Sequence, residues 1–392
     1  MSGPTLDALD VSAFTEKART LGFEVVGAAP VDPLGGGWYA PHAERFEAWI
    51  DAGHHGEMHY MAERAGERVV PDRLLPGVKS ALVLWLPHRH RPPATPPPEI
   101  TARVAVYAWG RDYHNIARKA LRKLRRWLGE HAPGVGAYLT CDTGPVLERA
   151  FGARSAVGWI GKSSMLIHQK LGTFGSLAVV FLDAEVPSAP QAHPDRCGRC
   201  TACIDDCPTQ AILAPGVVDS TLCIAYWTIE HRGVIPLAIR PLLGDWIFGC
   251  DICQDVCPWN NKAPYADEAL WRPRSELARP DVLAWLQMPD DDLKALLVGS
   301  PLTRPKAVGL KRNILIALAN QDCTEALPVV ESVLETHLDP VVRATAAWAA
   351  HRLGSATALA RAARDADPIV RAEALEVPMG ASNTHPGDSN EA

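Results

Sequence analysis

The sequence lacks the features of membrane and secreted proteins. No apolar run approaches the eighteen or so residues that a membrane helix needs. Residues 1–7 include an acid and no apolar segment, so a secretory signal is not expected. Ten cysteines in 392 residues are too few for a disulfide framework. We therefore expect a cytoplasmic protein that contacts no membrane and whose thiols stay reduced.

An excess of positive charge is also missing. Lysine and arginine number 39 against 45 acidic residues, which gives a net charge of −6. The chain therefore lacks the overall positive field that would indicate nucleic-acid binding, although a local basic patch can be enough for such binding. Hydrophobic residues make up 47% and charged residues 21% of the chain, as in ordinary globular proteins. The length alone predicts two or three domains.

The few cysteines are concentrated in one region, with a specific spacing. One run has the pattern C-x2-C-x2-C-x3-C-P, by which bacterial ferredoxins hold [4Fe–4S] clusters. A second, shorter run also ends in Cys-Pro, and one further cysteine lies between the two runs. The eight cysteines are Cys197, Cys200, Cys203, Cys207, Cys223, Cys250, Cys253 and Cys257. Eight thiolates are enough for two four-iron clusters.

In the ferredoxin pattern the cysteine before each proline ligates the other cluster. The spacing therefore predicts one cluster on Cys197, Cys200, Cys203 and Cys257, and a second cluster on Cys207, Cys223, Cys250 and Cys253. Structural zinc is an alternative, but it prefers two C-x2-C pairs with four ligands and does not explain the two Cys-Pro endings. The remaining cysteines, Cys141 and Cys323, are expected to be small buried apolar residues.

The rest of the chain divides by its pattern of apolar residues. Residues 1–185 alternate helical and strand-like segments, including a continuous apolar run at 80–86, which predicts an α/β sandwich with a sheet covered on both faces. Residues 186–264 form the cysteine domain, which we expect to be ferredoxin-like. In residues 265–378, two similar segments each begin with an Asp-Pro pair, at Asp339 and at Asp367. This pair is typical of a helix start, and its recurrence predicts HEAT-like helical repeats. Residues 379–392 are expected to be a disordered tail.

One local basic patch does occur. Apolar residues at 117, 120, 121, 124 and 127 keep helical spacing, so the intervening cations are expected on the outer face of a helix. These cations are Arg118, Lys119, Arg122, Lys123, Arg125 and Arg126. They could contact phosphate groups or form an ordinary solvated face, and the sequence favours neither interpretation. Arg343 and Arg371 in the repeats are further candidates for phosphate contact.

Several segments together resemble a known family. The chain is similar to the epoxyqueuosine reductases in residues 55–64, 110–114, 141–149, 158–166, 223–230 and 250–259. The resemblance covers nearly the whole chain and thins in the C-terminal repeats. Ser163–Ser164 and Cys141 depart from the pattern expected for the family.

The resemblance implies a cobalamin-dependent oxidoreductase in the last step of queuosine biosynthesis. Such an enzyme reduces the epoxide of epoxyqueuosine to queuosine at the wobble position of tRNA. Two [4Fe–4S] clusters, fed by a low-potential electron donor, would supply cob(I)alamin with electrons. The cofactor is expected in its base-off form between the first two domains, the repeats are expected to help bind tRNA, and relatives suggest a monomer. The residues expected at cobalamin are Arg64, Asp142, Gly161, Lys162, Ser163, Tyr226 and Asp251.

Opening an epoxide requires a proton at its oxygen, and Asp142 is the candidate acid. Burial above the cobalt is expected to keep this carboxyl protonated, because desolvation disfavours the carboxylate. The alternative is that Asp142 only caps a helix over residues 145–151. Tyr113 and His114 are the next candidates for the acid.

Other functions remain open from the sequence. A cobalamin-dependent reductive dehalogenase is the closest, although it normally has an export signal and no helical repeats. A ferredoxin-type electron-transfer protein would bind no corrinoid and would not act on tRNA. In a scaffold protein, the clusters would only stabilise the fold.

Overall fold

A computed structural model describes residues 10–187 and 192–377. The first region contains α1 Val11–Arg19, β1 Val25–Pro30, α2 Ala40–Asp51, α3 His59–Glu63, α4 Ala65–Val69, β2 Ser80–Pro87, β3 Arg103–Val104, α5 Tyr113–His131, β4 Ala137–Cys141, α6 Glu148–Arg154, β5 Trp159–Ile160, β6 Leu166–Ile167 and β7 Gly175–Leu182. The strand predicted from the apolar run at 80–86 and the basic helix are confirmed.

The first region is organised around a four-stranded antiparallel sheet in the order β1-β2-β7-β4. Its central strand β2 is buried along its whole length. Side chains alternate between the faces of a strand. Leu82, Leu84 and Leu86 therefore pack on one side with α1 and α5. Val83 and Trp85 pack on the other side with α6. This explains why the strand is apolar at every position, as the sequence indicated.

The second region contains α7 Ala202–Asp205, β8 Ile212–Ala214, β9 Val217–Val218, α8 Ile224–Ile229, β10 Trp246–Phe248 and α9 Ile252–Asp255. It is joined to the first region by a strand pair. β3 does not enter the central sheet but pairs in parallel with β10. Residues just before α5 are therefore tied directly to the segment that carries the second cysteine run.

The third region is entirely helical among the described residues: α10 Glu268–Trp271, α11 Ser275–Ala278, α12 Val282–Gln287, α13 Asp290–Leu297, α14 Lys306–Asn320, α15 Leu327–Thr336, α16 Pro340–Arg352, α17 Ala358–Ala362 and α18 Pro368–Glu376. Asp339 and Asp367 cap α16 and α18 by accepting a backbone N–H at 2.9 and 2.8 Å. The prediction of helical repeats that begin at Asp-Pro is confirmed.

The helix α14 joins the repeats to the cysteine region. Its Arg312 is completely buried and donates to the carbonyls of His231, Gly233 and Trp227 at 2.7–2.9 Å. Next to it, Asn313 donates to two more carbonyls of the cysteine region. One apolar core also runs through both regions. The domain boundaries at 185/186 and 264/265 stay predictions.

Three further expectations concern single features. Cys141 is buried as expected, whereas the expectation for Cys323 is wrong, because this side chain is only half-buried beside α15. Among the described residues no helix is long and apolar enough to span a bilayer. The predicted tail at 379–392 lies outside the described residues.

Candidate active site

The eight cysteines form two predicted groups, one for each expected cluster. Burial raises the pKa of Cys203, and the charges of Cys197, Cys257 and Cys200 raise it further. Burial likewise raises the pKa of Cys250, and the charges of Cys223 and Cys207 raise it further. The sulfur of Cys253 is also near Cys250 and Cys223. The crossed assignment of these cysteines to two clusters stays a prediction.

The two groups differ in their exposure. Cys200 in the first group is exposed, whereas the members of the second group are all partly covered. In the second group, Cys207 Sγ accepts the N–H of Ala211 at 3.4 Å. Backbone N–H groups that donate to sulfur stabilise thiolates, which are the form that binds iron. The donor chemistry of both groups therefore fits four-iron clusters.

The hairpin β5–β6 touches the loop of the first cysteine group. Lys162 lies in its turn and donates to the carbonyls of Gly198 and Cys200 at 2.8 and 2.9 Å. Gly161 packs so closely that an added Cβ would lie 2.5 Å from Ile167 Cδ1. Ser163 is half-buried in the same turn. Of the residues expected at cobalamin, these three therefore lie beside the first cluster loop.

The other expected cobalamin residues already have partners within the protein. Arg64 pairs with Glu67 at 2.5 Å on the surface. Tyr226 is 6% exposed, and its hydroxyl accepts the Glu57 N–H at 3.0 Å. Asp251 is 2% exposed and accepts the N–H of Val106 at 2.6 Å. Tyr226 and Asp251 thus hold protein segments in place, and their contact with a cofactor stays a prediction.

Asp142 directly follows the edge strand β4 and has a left-handed backbone with φ of 61°. Its carboxylate accepts the Tyr113 hydroxyl at 2.6 Å and lies 3.0 Å from His114 Nε2. Its own N–H donates to Glu148 Oε1 at 2.7 Å. The carboxylate remains 56% exposed. It is thus oriented by the start of α5 while keeping an open side.

The alternative role of Asp142 as a helix cap is wrong. The helix that follows, α6, begins at Glu148 rather than at residue 145, and the residue in the cap position is Leu147, an apolar side chain that cannot accept a hydrogen bond. The side chain of Asp142 turns instead toward Tyr113 and His114.

A second carboxylate holds the imidazole of His114 from behind. Asp112 caps α5 by accepting the His114 N–H at 2.9 Å, and the same oxygen lies 2.7 Å from His114 Nδ1. An imidazolium can donate from both ring nitrogens at once. His114 is therefore placed to hold a proton between Asp112 and Asp142. In the sequence, Asp112 stands out only as part of the segment 110–114. Its role in orienting His114 toward Asp142 follows from the packing of α5 against β4.

The expectation that Asp142 keeps its own proton is wrong. Partial desolvation by its neighbours would raise the pKa of Asp142, but the hydrogen bonds from His114 and Tyr113 outweigh it and hold this pKa below 3.8. Burial would lower the pKa of His114, but hydrogen bonds to Asp112 and Asp142 raise it to about 9. At neutral pH the proton of the pair therefore resides on His114. Burial, and then the Asp142 charge, raise the pKa of Glu148 to about 8.

Two further features connect Asp142 to its surroundings. The Tyr107 ring lies 5.8 Å from the ring of Tyr113, which binds Asp142, and the N–H of the adjacent Val106 binds Asp251 in the second cysteine run. A redox cofactor that links a cluster to Asp142 fits such an arrangement. Arg304 from the repeats pairs with Glu230 at 2.8 Å and lies 5.8 Å from the Tyr60 ring. Arg304 thus joins the repeats to one residue of each of the other two regions.

Comparison with known proteins gives consistent matches along the chain. Residues 68–143 match the family model described as "Epoxyqueuosine reductase QueG, DUF1730". Residues 196–260 match a "4Fe-4S double cluster binding domain", and residues 304–377 match HEAT repeats. An epoxyqueuosine reductase of Pseudomonas aeruginosa is 36% identical over 86% of this chain and 92% of its own length. That of Escherichia coli is 33% identical over 88% and 90%.

Solved structures are similar over the same span. An epoxyqueuosine reductase bound to an epoxyqueuosine-modified tRNA-Tyr stem loop has a TM-score of 0.84 and 26% identity, covering 93% of this chain and 96% of that one. The enzyme from Bacillus subtilis, with a catalytic loop swung out of its active site, has a TM-score of 0.84 and 26% identity over 93% and 97%. The cofactors of the family are cobalamin and two [4Fe–4S] clusters. The chain therefore belongs to the epoxyqueuosine reductase family of oxidoreductases.

Proposed function

We propose that the chain reduces the epoxide of epoxyqueuosine in tRNA to the alkene of queuosine, and that Asp142 and His114 act together as the acid. The reaction consumes two electrons and two protons and releases the epoxide oxygen as water. A protonation site beside the reacting oxygen is therefore indispensable. The observation that carries the proposal is the Asp112–His114–Asp142 arrangement, in which an imidazole lies between two carboxylates at 2.7 and 3.0 Å.

In this proposal the two residues share one transferable proton. His114 holds it at rest, because both flanking carboxylates favour the imidazolium. Asp142 presents the open carboxylate to the substrate, while the Tyr113 hydroxyl fixes its orientation at 2.6 Å. As negative charge develops on the epoxide oxygen, the first of the two protons passes from the pair to that oxygen. Solvent at the open side of Asp142 returns a proton to the pair, which supplies the second proton as the oxygen leaves as water. Asp112 remains ionised and stabilises the imidazole throughout.

Cobalamin, when bound, would supply a strongly reducing cobalt centre for the C–O bond cleavage. We propose that it binds between Asp142 and the second cysteine run, because Tyr107 and the adjacent Val106 connect these two parts of the structure. The candidates for its contacts remain Arg64, Asp142, Gly161, Ser163, Tyr226 and Asp251. The side chain of Lys162 already binds the Cys197–Cys200 loop, so we assign it to holding the first cluster in place.

The electron path follows from the exposure of the cysteines. The first group, with exposed Cys200, is the entry site for a low-potential electron donor. The more covered second group then passes electrons inward, since Cys253 lies near Cys203 as well as near Cys250. The substrate is tRNA, as the stem-loop complex of a similar enzyme supports. Such a substrate implies a cytoplasmic enzyme, and we propose that it acts as a monomer.

The test is anaerobic turnover. The purified chain, reconstituted with iron, sulfide and cobalamin, should convert epoxyqueuosine to queuosine in tRNA when given a low-potential reductant. Its visible spectrum should show a corrinoid band beside the broad iron–sulfur absorption. A chain that transfers electrons but binds no corrinoid would be an electron carrier instead. Reductive removal of halide without action on tRNA would favour the dehalogenase alternative.

A further inference from the structure

A cavity of about 310 Å³ lies between helix α5 and the edge strand β4. Its helix side contains three arginines, Arg118, Arg122 and Arg125, which follow one another at spacings of four and three residues. This spacing places them on the same side of the helix. Its strand side ends at Thr143, immediately after Asp142. The cavity is thus a basic groove that begins at the proposed acid.

The charge of this groove is not neutralised by the protein. Arg118 makes one long hydrogen bond, 3.5 Å to the Asn115 side chain. Within the described residues Arg122 and Arg125 have neither an ion pair nor a hydrogen-bond partner, and none of the described residues that line the cavity is acidic. Three guanidinium groups around one concavity repel one another unless an anion lies between them. Their planar forks suit phosphate oxygens.

The groove and the acid share a residue. His114 lines the cavity and lies 3.0 Å from Asp142 through its Nε2 atom. An anion bound by the arginines would therefore be a near neighbour of the group that is reduced. A small free anion would not need a site in this position. In a nucleotide whose modified base reaches Asp142, the backbone phosphate would lie in the same part of the site as the arginines.

We propose that Arg118, Arg122 and Arg125 form the binding site for an RNA backbone phosphodiester next to the nucleotide that is reduced. This inference rests on the proposed tRNA substrate and adds where its strand is held. It divides the six cations of α5 into two sets. Lys119, Lys123 and Arg126 are equally exposed but do not line the cavity, so they contribute only to the general field.

The division supplies a matched experiment. One variant combines Arg118→Gln, Arg122→Gln and Arg125→Gln, and the other combines Lys119→Gln, Lys123→Gln and Arg126→Gln. Both lose three positive charges from the exposed face of one helix, and iron content and melting temperature should show that both fold. Binding of an epoxyqueuosine-containing anticodon stem loop to the holoenzyme is measured by fluorescence anisotropy over a series of salt concentrations.

The first variant should bind about ten- to a hundredfold more weakly, as expected when a charge-assisted hydrogen bond is removed. Its slope of log K against log salt should fall by about 0.7–0.9 for each phosphate that the helix no longer neutralises. The second variant should lose less than about threefold, since screening at physiological salt weakens distant charges. Equal losses in both variants, or no binding by the native chain, would overturn the site.

Two further measurements distinguish an RNA phosphate from a cobalamin phosphate, and binding from catalysis. Cobalamin itself has a phosphodiester, so its affinity for both variants is titrated from the visible spectrum. Weaker cobalamin binding by the first variant, with unchanged stem-loop binding, would overturn the assignment to RNA. Turnover is measured separately from binding. If the stem loop binds through the three arginines but no epoxide is reduced, the proposed function fails while the phosphodiester site stands.

Discussion

Arg240 and Glu373 form a bidentate ion pair inside the protein, with nitrogen–oxygen distances of 2.6 and 2.9 Å. Their side chains are 1% and 3% exposed. Arg240 precedes β10 in the cysteine region, whereas Glu373 lies in α18 at the end of the described repeats. The guanidinium also lies 5.0 Å from the Trp348 ring. A buried ion pair thus connects α18 to the region that is expected to carry the clusters.

Breaking this pair should strongly destabilise the joint between the two regions. Glu373→Ala leaves a buried guanidinium without its counter-charge, which typically costs about 3–5 kcal/mol. The exposed pair Arg361–Glu335 provides the control, because Glu335→Ala should cost about 0–1 kcal/mol. Denaturant unfolding followed by helical circular dichroism measures both. Similar effects of the two substitutions would contradict the importance of burial.

Crossed cluster ligation makes a specific prediction for Cys207. Cys207→Ser should remove the cluster of Cys223, Cys250 and Cys253, although Cys207 belongs to the first cysteine run by sequence. Cys200→Ser should remove the other cluster. Electron paramagnetic resonance of the two reduced variants should therefore show different remaining clusters, each with about four irons per chain. If both variants lose the same signal, each run ligates its own cluster and the assignment is wrong.

Removing the carboxylate of Asp142 should affect chemistry and leave binding intact. Asp142→Asn keeps the shape of the side chain but can no longer share a proton with His114. Single-turnover reduction of the epoxide should slow by about a hundred- to ten-thousandfold, the usual contribution of a positioned acid. Iron content, cobalamin binding and affinity for the stem loop should match those of the native chain. A rate close to native would remove Asp142 from the acid pair.

The pair should also give the reaction a defined pH dependence. Because the pKa of His114 is raised to about 9, the shared proton is present at neutral pH and is lost as the pH rises through 9. Single-turnover rates should be level near pH 7 and decline above about pH 9. His114→Gln should slow the reaction and remove that decline. The same decline in His114→Gln would assign it to another group.

Protonation of His114 should be visible in stability as well. Its pKa in the folded chain is above the ordinary value of 6.5, so folding binds a proton between pH 6.5 and about 9. The resulting stabilisation is complete below pH 6.5 and is lost as the pH rises through 9. The difference in melting temperature between the native chain and His114→Gln should follow this course. A difference that grows with pH would mean that His114 is neutral in the folded protein.

The site shows which features a sequence can predict. The spacing of the cysteines predicted a domain with two clusters, because most of the ligands lie in two short local runs. Asp142 became a candidate because the segment 141–149 resembles the epoxyqueuosine reductases. The protonation state was not predictable, because it depends on Asp112 and His114, which are distant in sequence and meet Asp142 only when α5 packs on β4. A pKa is set by neighbours in space.

In the fold, too, local features were predictable and contacts between distant segments were not. The apolar run of β2 predicted its strand, since burial of both faces requires apolar residues at every position. The caps at Asp339 and Asp367 predicted helix starts for an equally local reason. Pairing of β3 with β10 and the bonds of Lys162 to the cluster loop join segments far apart in the chain. No local pattern specifies such contacts.

The buried bonds of α14 have a consequence for how this architecture can change over evolution. Helical repeats are commonly gained and lost as whole units, because each contacts mainly its neighbours. Here Arg312 and Asn313 satisfy five carbonyls of the cysteine region, so deleting their helix would expose unpaired polar groups outside the repeats. Shortening the array from its far end would also be costly, because the loss of α18 removes Glu373 and leaves Arg240 buried without its counter-charge. Both ends of the described repeat array are therefore tied to the cysteine region, and we expect sequence change to be concentrated on the exposed faces of the helices between them.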